Sequence, residues 1–227
     1  MINKLYMNDE NIYERIDYEL LLNGFAVIND FGRFNSELFK GLLDSYEKTI
    51  YTSKVSFYKG GFCKRYEKLS IKDKNIDILN KFVSNPLVQN VAIKNLNTKK
   101  FNIDVFQTFD TKETNHDAYT PHFDRIPTLK FLLYLNDIEI ENGSFCISPG
   151  SHHWVQKNFP IPRDKYNSDK FLRQSRDLSP LILNKIESIS GPAGLLLIFY
   201  TDCVHNQGVV KSGESKIMRA HFRNPFL

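Results

Sequence analysis

The 227-residue sequence predicts a mainly β fold, an antiparallel sandwich or barrel preceded by helices. Two observations carry this. Apolar residues recur at helical spacing through much of the first third. From about Phe101 they fall instead into short β-prone runs, FNIDVFQTF, TLKFLLYL, GSFCISP, AGLLLIFY and SKIMRAHFR, separated by Gly, Pro, Asn and Asp clusters. No helical pattern alternates with these runs, which argues against an α/β sheet.

In NDENIYERIDYELLLNGF, Asn8 or Asp9 is placed to cap a helix, with Ile12, Tyr13, Ile16, Leu20 and Leu21 at helical spacing. Asn23-Gly24 stops it, and FAVI follows as a short strand. A second helix is expected in NSELFKGLLDSYEKTIY, capped by Asn35 or Ser36, with Leu38, Leu42, Leu43 and Tyr46 on one face. A third, in IKDKNIDILNKFVSN, ends before Pro86. The helical part covers about 1–95 and the strands about 100–227. With no repeat or linker, and a length suited to one core, the expectation is a single domain spanning 1–227. The polar stretch PRDKYNSDKFLRQSRDLS makes an insertion at about 160–180 that reads either as a lid or as a passive surface excursion.

The chain carries a formal charge of +4, but its basic residues are interleaved with acids. Neither a nucleic-acid track nor a polybasic membrane segment stands out. The longest apolar run, Ala193 to Tyr200, is too short to cross a bilayer, and the acid-bearing N-terminus lacks a signal-peptide core. Cys63, Cys146 and Cys203 are odd in number and widely spaced, as expected of free thiols in a reducing compartment. These features point to a cytoplasmic protein with a small-molecule partner, no nucleic acid and no membrane; they leave the oligomeric state open.

The chemistry begins at TPHFDR. On an extended segment His122 and Asp124 face the same side, so both reach one ion. His205, in a turn after the apolar AGLLLIFY run, supplies a distant third ligand. Two imidazoles and a carboxylate form a facial triad that leaves open positions on non-haem Fe(II), although Zn or Mn accepts the same donors. In SGESKIMRAHFRNPF, Arg219, His221 and Arg223 share one face of a strand. An arginine inside an apolar barrel needs an anion, and a bound 2-oxo acid presents one suited to its bidentate fork.

TPHFDRIPTLKFLLYLNDIEIENGSFCISPGSHHW, followed by GPAGLLLIFYTDCVHNQGVVKSGESKIMRAHF, resembles the phytanoyl-CoA dioxygenase-like family of Fe(II)/2-oxoglutarate-dependent oxygenases. The resemblance covers roughly Phe101 to the C-terminus, and LLNGFAVINDF is similar to the family's N-terminal helix and strand. It implies a double-stranded β-helix, or jelly-roll, core, with His122, Asp124 and His205 as metal ligands. It implies Fe(II), 2-oxoglutarate and O2 as cofactor and co-substrates, with succinate and CO2 as co-products. Because the carboxylate of Asp124 is kept, hydroxylation or another C–H oxidation is expected rather than halogenation.

Many members place the oxoglutarate-binding arginine where this chain has Lys216; here the arginine comes at Arg219, which is favoured, with Lys216 as runner-up. Gln107 and Lys130, on flanking strands, face either the cavity, where they would bind oxoglutarate, or solvent. His152, Arg125 and Arg223 are candidate substrate contacts, and the loose supply of cations suits an anionic group. A cupin-like metal protein or isomerase that does not use 2-oxoglutarate is the alternative on the same architecture.

Overall fold

The computed structural model describes residues 2–49, 56–66, 77–115, 117–161 and 178–226. Nearly all of the lid-like insertion and the first half of the expected third helix lie outside the described residues. The chain runs β1 (Lys4–Leu5), α1 (Ile12–Asn23), β2 (Phe25–Ile28), α2 (Phe31–Phe34), α3 (Ser36–Thr49), β3 (Ser56–Tyr58), β4 (Gly61–Tyr66), α4 (Asp77–Val83) and α5 (Pro86–Leu96). It continues with β5 (Asn102–Thr111), β6 (Leu129–Tyr134), β7 (Phe145–Ile147), α6 (Ser151–Asn158), α7 (Pro180–Leu183), β8 (Glu187–Ile189), β9 (Leu196–Tyr200), β10 (His205–Asn206) and β11 (Glu214–Arg223). Eight strands form a large sheet in the order β1-β2-β9-β6-β11-β5-β4-β3, and β10-β7-β8 form a small one. Only β1 with β2 pairs in parallel within these sheets. This is the expected jelly-roll with helices.

Strand alternation gives the large sheet two different faces. Ile103 and Val105 of β5, Leu129, Phe131 and Leu133 of β6, and Met218, Ala220 and Phe222 of β11 pack against the helices. The opposite face sends Leu132 and Tyr134, Leu197 and Phe199, and Ile217 toward the small sheet, where they meet Phe145, Ile147 and Ile189. The Tyr134 hydroxyl ties the sheets together: it donates to the Ile189 carbonyl at 2.6 Å and accepts from the Phe145 N–H at 3.3 Å. Functional groups on this inner face are therefore held between two sheets.

The N-terminal part departs from its sequence reading in four ways. Helix α1 starts at Ile12 after Asn11, not at a cap on Asn8 or Asp9; Asp9 instead pairs with Arg15 and accepts from the Tyr6 N–H. Its buried stripe is Ile12, Ile16, Glu19 and Leu20, while Tyr13 and Leu21 lie to the side and are exposed. The third helix does end before Pro86, at Val83 of α4, but a further helix follows that was not expected. Pro86 opens α5 at the first turn, where a missing N–H costs nothing, with the Asn85 side chain accepting from the Leu87 N–H. The region expected to be mainly helical also contributes the β3–β4 hairpin, which extends the large sheet beside β5.

Gly24 joins the helical layer to the sheet. It closes α1 with φ +80° by donating to the Leu20 carbonyl, and its own carbonyl accepts from the Tyr200 N–H at the end of β9. A Cβ there would lie 2.2 Å from Cys203 Sγ and 2.5 Å from His152 Nδ1. No described helix is long and apolar enough to cross a membrane. Gly24→Ala combines positive-φ strain with overpacking and is expected to destabilise the protein by at least about 2 kcal/mol. A lower denaturant midpoint at unchanged m-value checks this.

Candidate metal centre

Backbone pairing brings His122 and His205 together. The His122 N–H donates to the His205 carbonyl at 3.0 Å, and the His205 N–H donates to the His122 carbonyl at 2.8 Å. Two residues further on, the Asp124 N–H donates to the Thr201 carbonyl. The segment before β6 is thus laced to the turn between β9 and β10. The ligand atoms of His122, Asp124 and His205 all fall within 4.8 Å of one another, making this a group that can hold a metal ion.

Each imidazole is oriented by a carbonyl. Nδ1 of His122 lies 2.7 Å from the Thr120 oxygen, and Nδ1 of His205 lies 2.7 Å from the Cys203 oxygen. A carbonyl only accepts, so the Nδ1–H tautomer is selected and the Nε2 lone pair faces the centre. Asp124 divides its carboxylate. Oδ2 takes the Lys130 ammonium at 2.7 Å, while Oδ1 faces Nε2 of His122 at 3.7 Å and of His205 at 3.8 Å.

Burial alone would push the Asp124 carboxyl up, but Lys130 and His205 outweigh it and hold the group well below the usual carboxylate range. Burial among Phe145 and Phe199 pushes His205 down to about 3, against the opposing pull of Asp124, so its imidazole is neutral near pH 7. A neutral His205, an ionised Asp124 and the inward-turned Nε2 of His122 give two imidazoles and one carboxylate, the donor set of a non-haem iron centre; zinc and manganese accept the same donors.

The remaining sequence-predicted residues divide by strand face. Arg219 lies on the inner face: its Nη2 donates to Gln207 Oε1 at 2.8 Å, and its Nε is buried with no hydrogen-bond partner among the described residues. Lys216, at odd offset from it, falls on the opposite parity with Met218 and Ala220, and its ammonium pairs with Glu214 at 2.6 Å. Gln107 does not take the cavity-facing option. It shares the helix-facing side with Val105, where its Oε1 accepts from the Tyr66 hydroxyl and its Nε2 reaches Ser45 Oγ at 3.5 Å. Lys130 does face inward, where it holds Asp124.

His152 is a packing residue rather than a wall of the triad. It is buried in α6, with Nε2 3.2 Å from the Leu21 carbonyl and Nδ1 3.7 Å from Cys203 Sγ. Burial pushes that thiol up to about 12, so it is inert. Arg125 is half-buried in the bend after Asp124. Arg223 is ion-paired to Asp104. Gln207 escaped the sequence reading, because NQG reads only as a turn. In the fold it is buried, its amide anchored on the Gly143 carbonyl at 2.9 Å and its oxygen turned to Arg219.

The family model described as phytanoyl-CoA dioxygenase (PhyH) matches residues 23–218. No curated protein sequence matches the chain. Among solved structures, the epimerase SnoN in complex with Fe3+, alpha ketoglutarate and nogalamycin RO superposes with a TM-score of 0.68 at 14% identity, over 95% of this chain and 85% of that one. HygX from Streptomyces hygroscopicus, with nickel and 2-oxoglutarate bound, gives 0.62 at 17% identity, over 94% and 87%. A Pseudomonas putida prolyl-4-hydroxylase gives 0.62 at 10% identity, over 93% and 98%. Likeness at such identities speaks to the fold.

Removing either Asp124 or His205 as alanine is expected to weaken divalent metal binding by at least about 100-fold, since even outer partners of a ligand are worth roughly 10–100-fold. Metal content after dialysis, or calorimetry with Ni(II), reads this directly. His152→Ala keeps stoichiometric metal.

Proposed function

The chain belongs to the phytanoyl-CoA dioxygenase family, and we propose that it is an Fe(II)- and 2-oxoglutarate-dependent dioxygenase that hydroxylates, or otherwise oxidises a C–H bond of, a small molecule. The observation that carries this reading is Arg219. A guanidinium enclosed between two sheets, held at one nitrogen by Gln207 and bare at Nε, is a docking point for a carboxylate on the same sheet face as the triad. A 2-oxo diacid has the two ends that such a pair of sites needs. His122, Asp124 and His205 would hold the metal that its 2-oxo acid end binds, and Arg219 would take its distal carboxylate.

Fe(II) with 2-oxoglutarate and O2 bound supplies the oxidising chemistry, with succinate and CO2 as co-products. The residues of this chain do the rest. His122 and His205, each held at Nδ1 by a carbonyl, turn their Nε2 atoms to the centre. Lys130 holds Oδ2 of Asp124 and keeps the carboxylate ionised, while Oδ1 faces the two imidazoles. Gln207 fixes the pitch of Arg219, while Phe145 and Phe199 pack around His205 and exclude water there. Because Asp124 remains in the triad, no halide position is opened, which favours hydroxylation.

Anaerobic calorimetry tests the reading. 2-Oxoglutarate is expected to bind Fe(II)-loaded protein and not the His122→Ala variant. Arg219→Ala should weaken it by roughly 30-fold or more, the effect of truncating one partner of a buried charge pair at about 2–5 kcal/mol. Lys216→Ala, altered on the helix-facing side, should change it less than about twofold. No binding to the metal-loaded wild type would sink the proposal in favour of a metal-only cupin.

A further inference from the structure

Two further nitrogens on β11 are left waiting. His221 Nε2 and Arg223 Nε are buried and, like Arg219 Nε, have no hydrogen-bond partner among the described residues. The three residues alternate along the strand, so they project to the same inner face. The two arginine nitrogens are N–H donors, and Nε2 of His221, an imidazole that burial keeps neutral, donates in its Nε2–H tautomer. A buried donor without an acceptor costs about 1–3 kcal/mol, and more when charged. Three in succession on one face suggest that acceptors arrive with a ligand.

Their surroundings are aromatic and charged. His221 is paired across the sheet with Lys130 on one side and Asp104 on the other. Its ring lies 4.5 Å from that of Phe106, and the Arg65 guanidinium carbon lies 5.3 Å from the same ring. Arg65 and Arg223 converge on one oxygen, Oδ2 of the buried Asp104, which aims both guanidiniums at this place.

The antiparallel register separates it from the Arg219 site. Phe222 pairs with Leu129, so the C-terminal end of β11 lies beside the start of β6, where Lys130 holds Asp124. Arg219 lies deeper, opposite Leu132. Arg219 and Arg223 are about 13 Å apart along the strand, further than one five-carbon diacid bridges.

We propose that His221 and Arg223, floored by Phe106 and flanked by Arg65, form a second anion subsite, which seats a carboxylate or phosphate of the molecule to be oxidised. This assignment rests on the oxygenase reading. It makes the substrate a small acid or a phosphorylated small molecule. Its acidic group lies one strand over and two residues along from Lys130, roughly 8 Å in backbone terms. Any oxidation takes place elsewhere on that molecule; the subsite only orients it.

Inorganic phosphate and butyrate, titrated by calorimetry at matched ionic strength into anaerobic protein loaded with Fe(II) and saturating 2-oxoglutarate, are the probes. At least one is expected to bind at a single site, and the tighter of the two identifies the acid class. Arg223→Gln should weaken that binding about tenfold or more, while Arg223→Lys, which keeps the charge opposite Asp104, weakens it less. 2-Oxoglutarate affinity within about twofold of wild type in both variants shows that the fold and the deeper site are intact. Neither anion binding to the wild type, or binding unchanged in Arg223→Gln, overturns the subsite. Failure of 2-oxoglutarate to bind the metal-loaded wild type sinks the oxygenase reading separately; the same phosphate titrations on metal-free protein then still judge the subsite.

Discussion

The paired backbone hydrogen bonds between His122 and His205 are the constraint on which the rest of the centre depends. They are an isolated antiparallel bridge, formed where the segment entering β6 meets the turn leaving β9. One bridge sets the spacing of two ligands that are distant in sequence, and the neighbouring bond from Asp124 to Thr201 sets the third. Side-chain choices then only refine the direction of each donor. A bridge of this kind holds because β6 and β9 are neighbours in the large sheet, paired from Leu129–Tyr200 to Leu133–Leu196. Buried apolar residues on both faces keep that pairing in register.

The two faces of the large sheet serve opposite ends. On the helix side, burial of aliphatic and aromatic residues provides stability without polar demands. On the inner side, the same strands carry Lys130, Arg219, His221 and Arg223 among Leu132, Tyr134 and Phe199. Such groups add nothing to core stability unless they are paired, and several of their nitrogens are not. Strain of this sort concentrates where ligands bind. Asp124 meets Lys130, Arg219 meets Gln207, and Asp104 meets two arginines, so each cation is aimed before any ligand arrives.

Much of this was legible in the sequence. The His-x-Asp pair needed only the period of two of an extended chain, and His205 announced itself by following a buried apolar run. The same parity separates Arg219 from Lys216, because an odd offset within one strand reverses the face. Other features were hidden for definite reasons. Gln107 could not be assigned a side without knowing which face of β5 the helices cover. Gln207 sat in a segment whose Asn and Gly said only turn. His152 was a candidate substrate contact because it follows a turn, but the αL Gly150 turns the chain straight into α6 and drives the ring under the end of α1.

The sequence by itself determined the class of fold, the three residues proposed as ligands of the candidate centre, the cation-bearing face of β11 and the order in which they occur. All of these follow from local rules: strand alternation, helix periodicity, and the chemistry of imidazole, carboxylate and guanidinium. Only the tertiary structure decided which face of each strand looks inward, which cation holds Asp124, and that the β3–β4 hairpin brings Arg65 to Asp104 beside Arg223. Those outcomes depend on strand order and on which surface the helices cover. They are set by burial of apolar area across segments far apart in the chain, which no local pattern encodes.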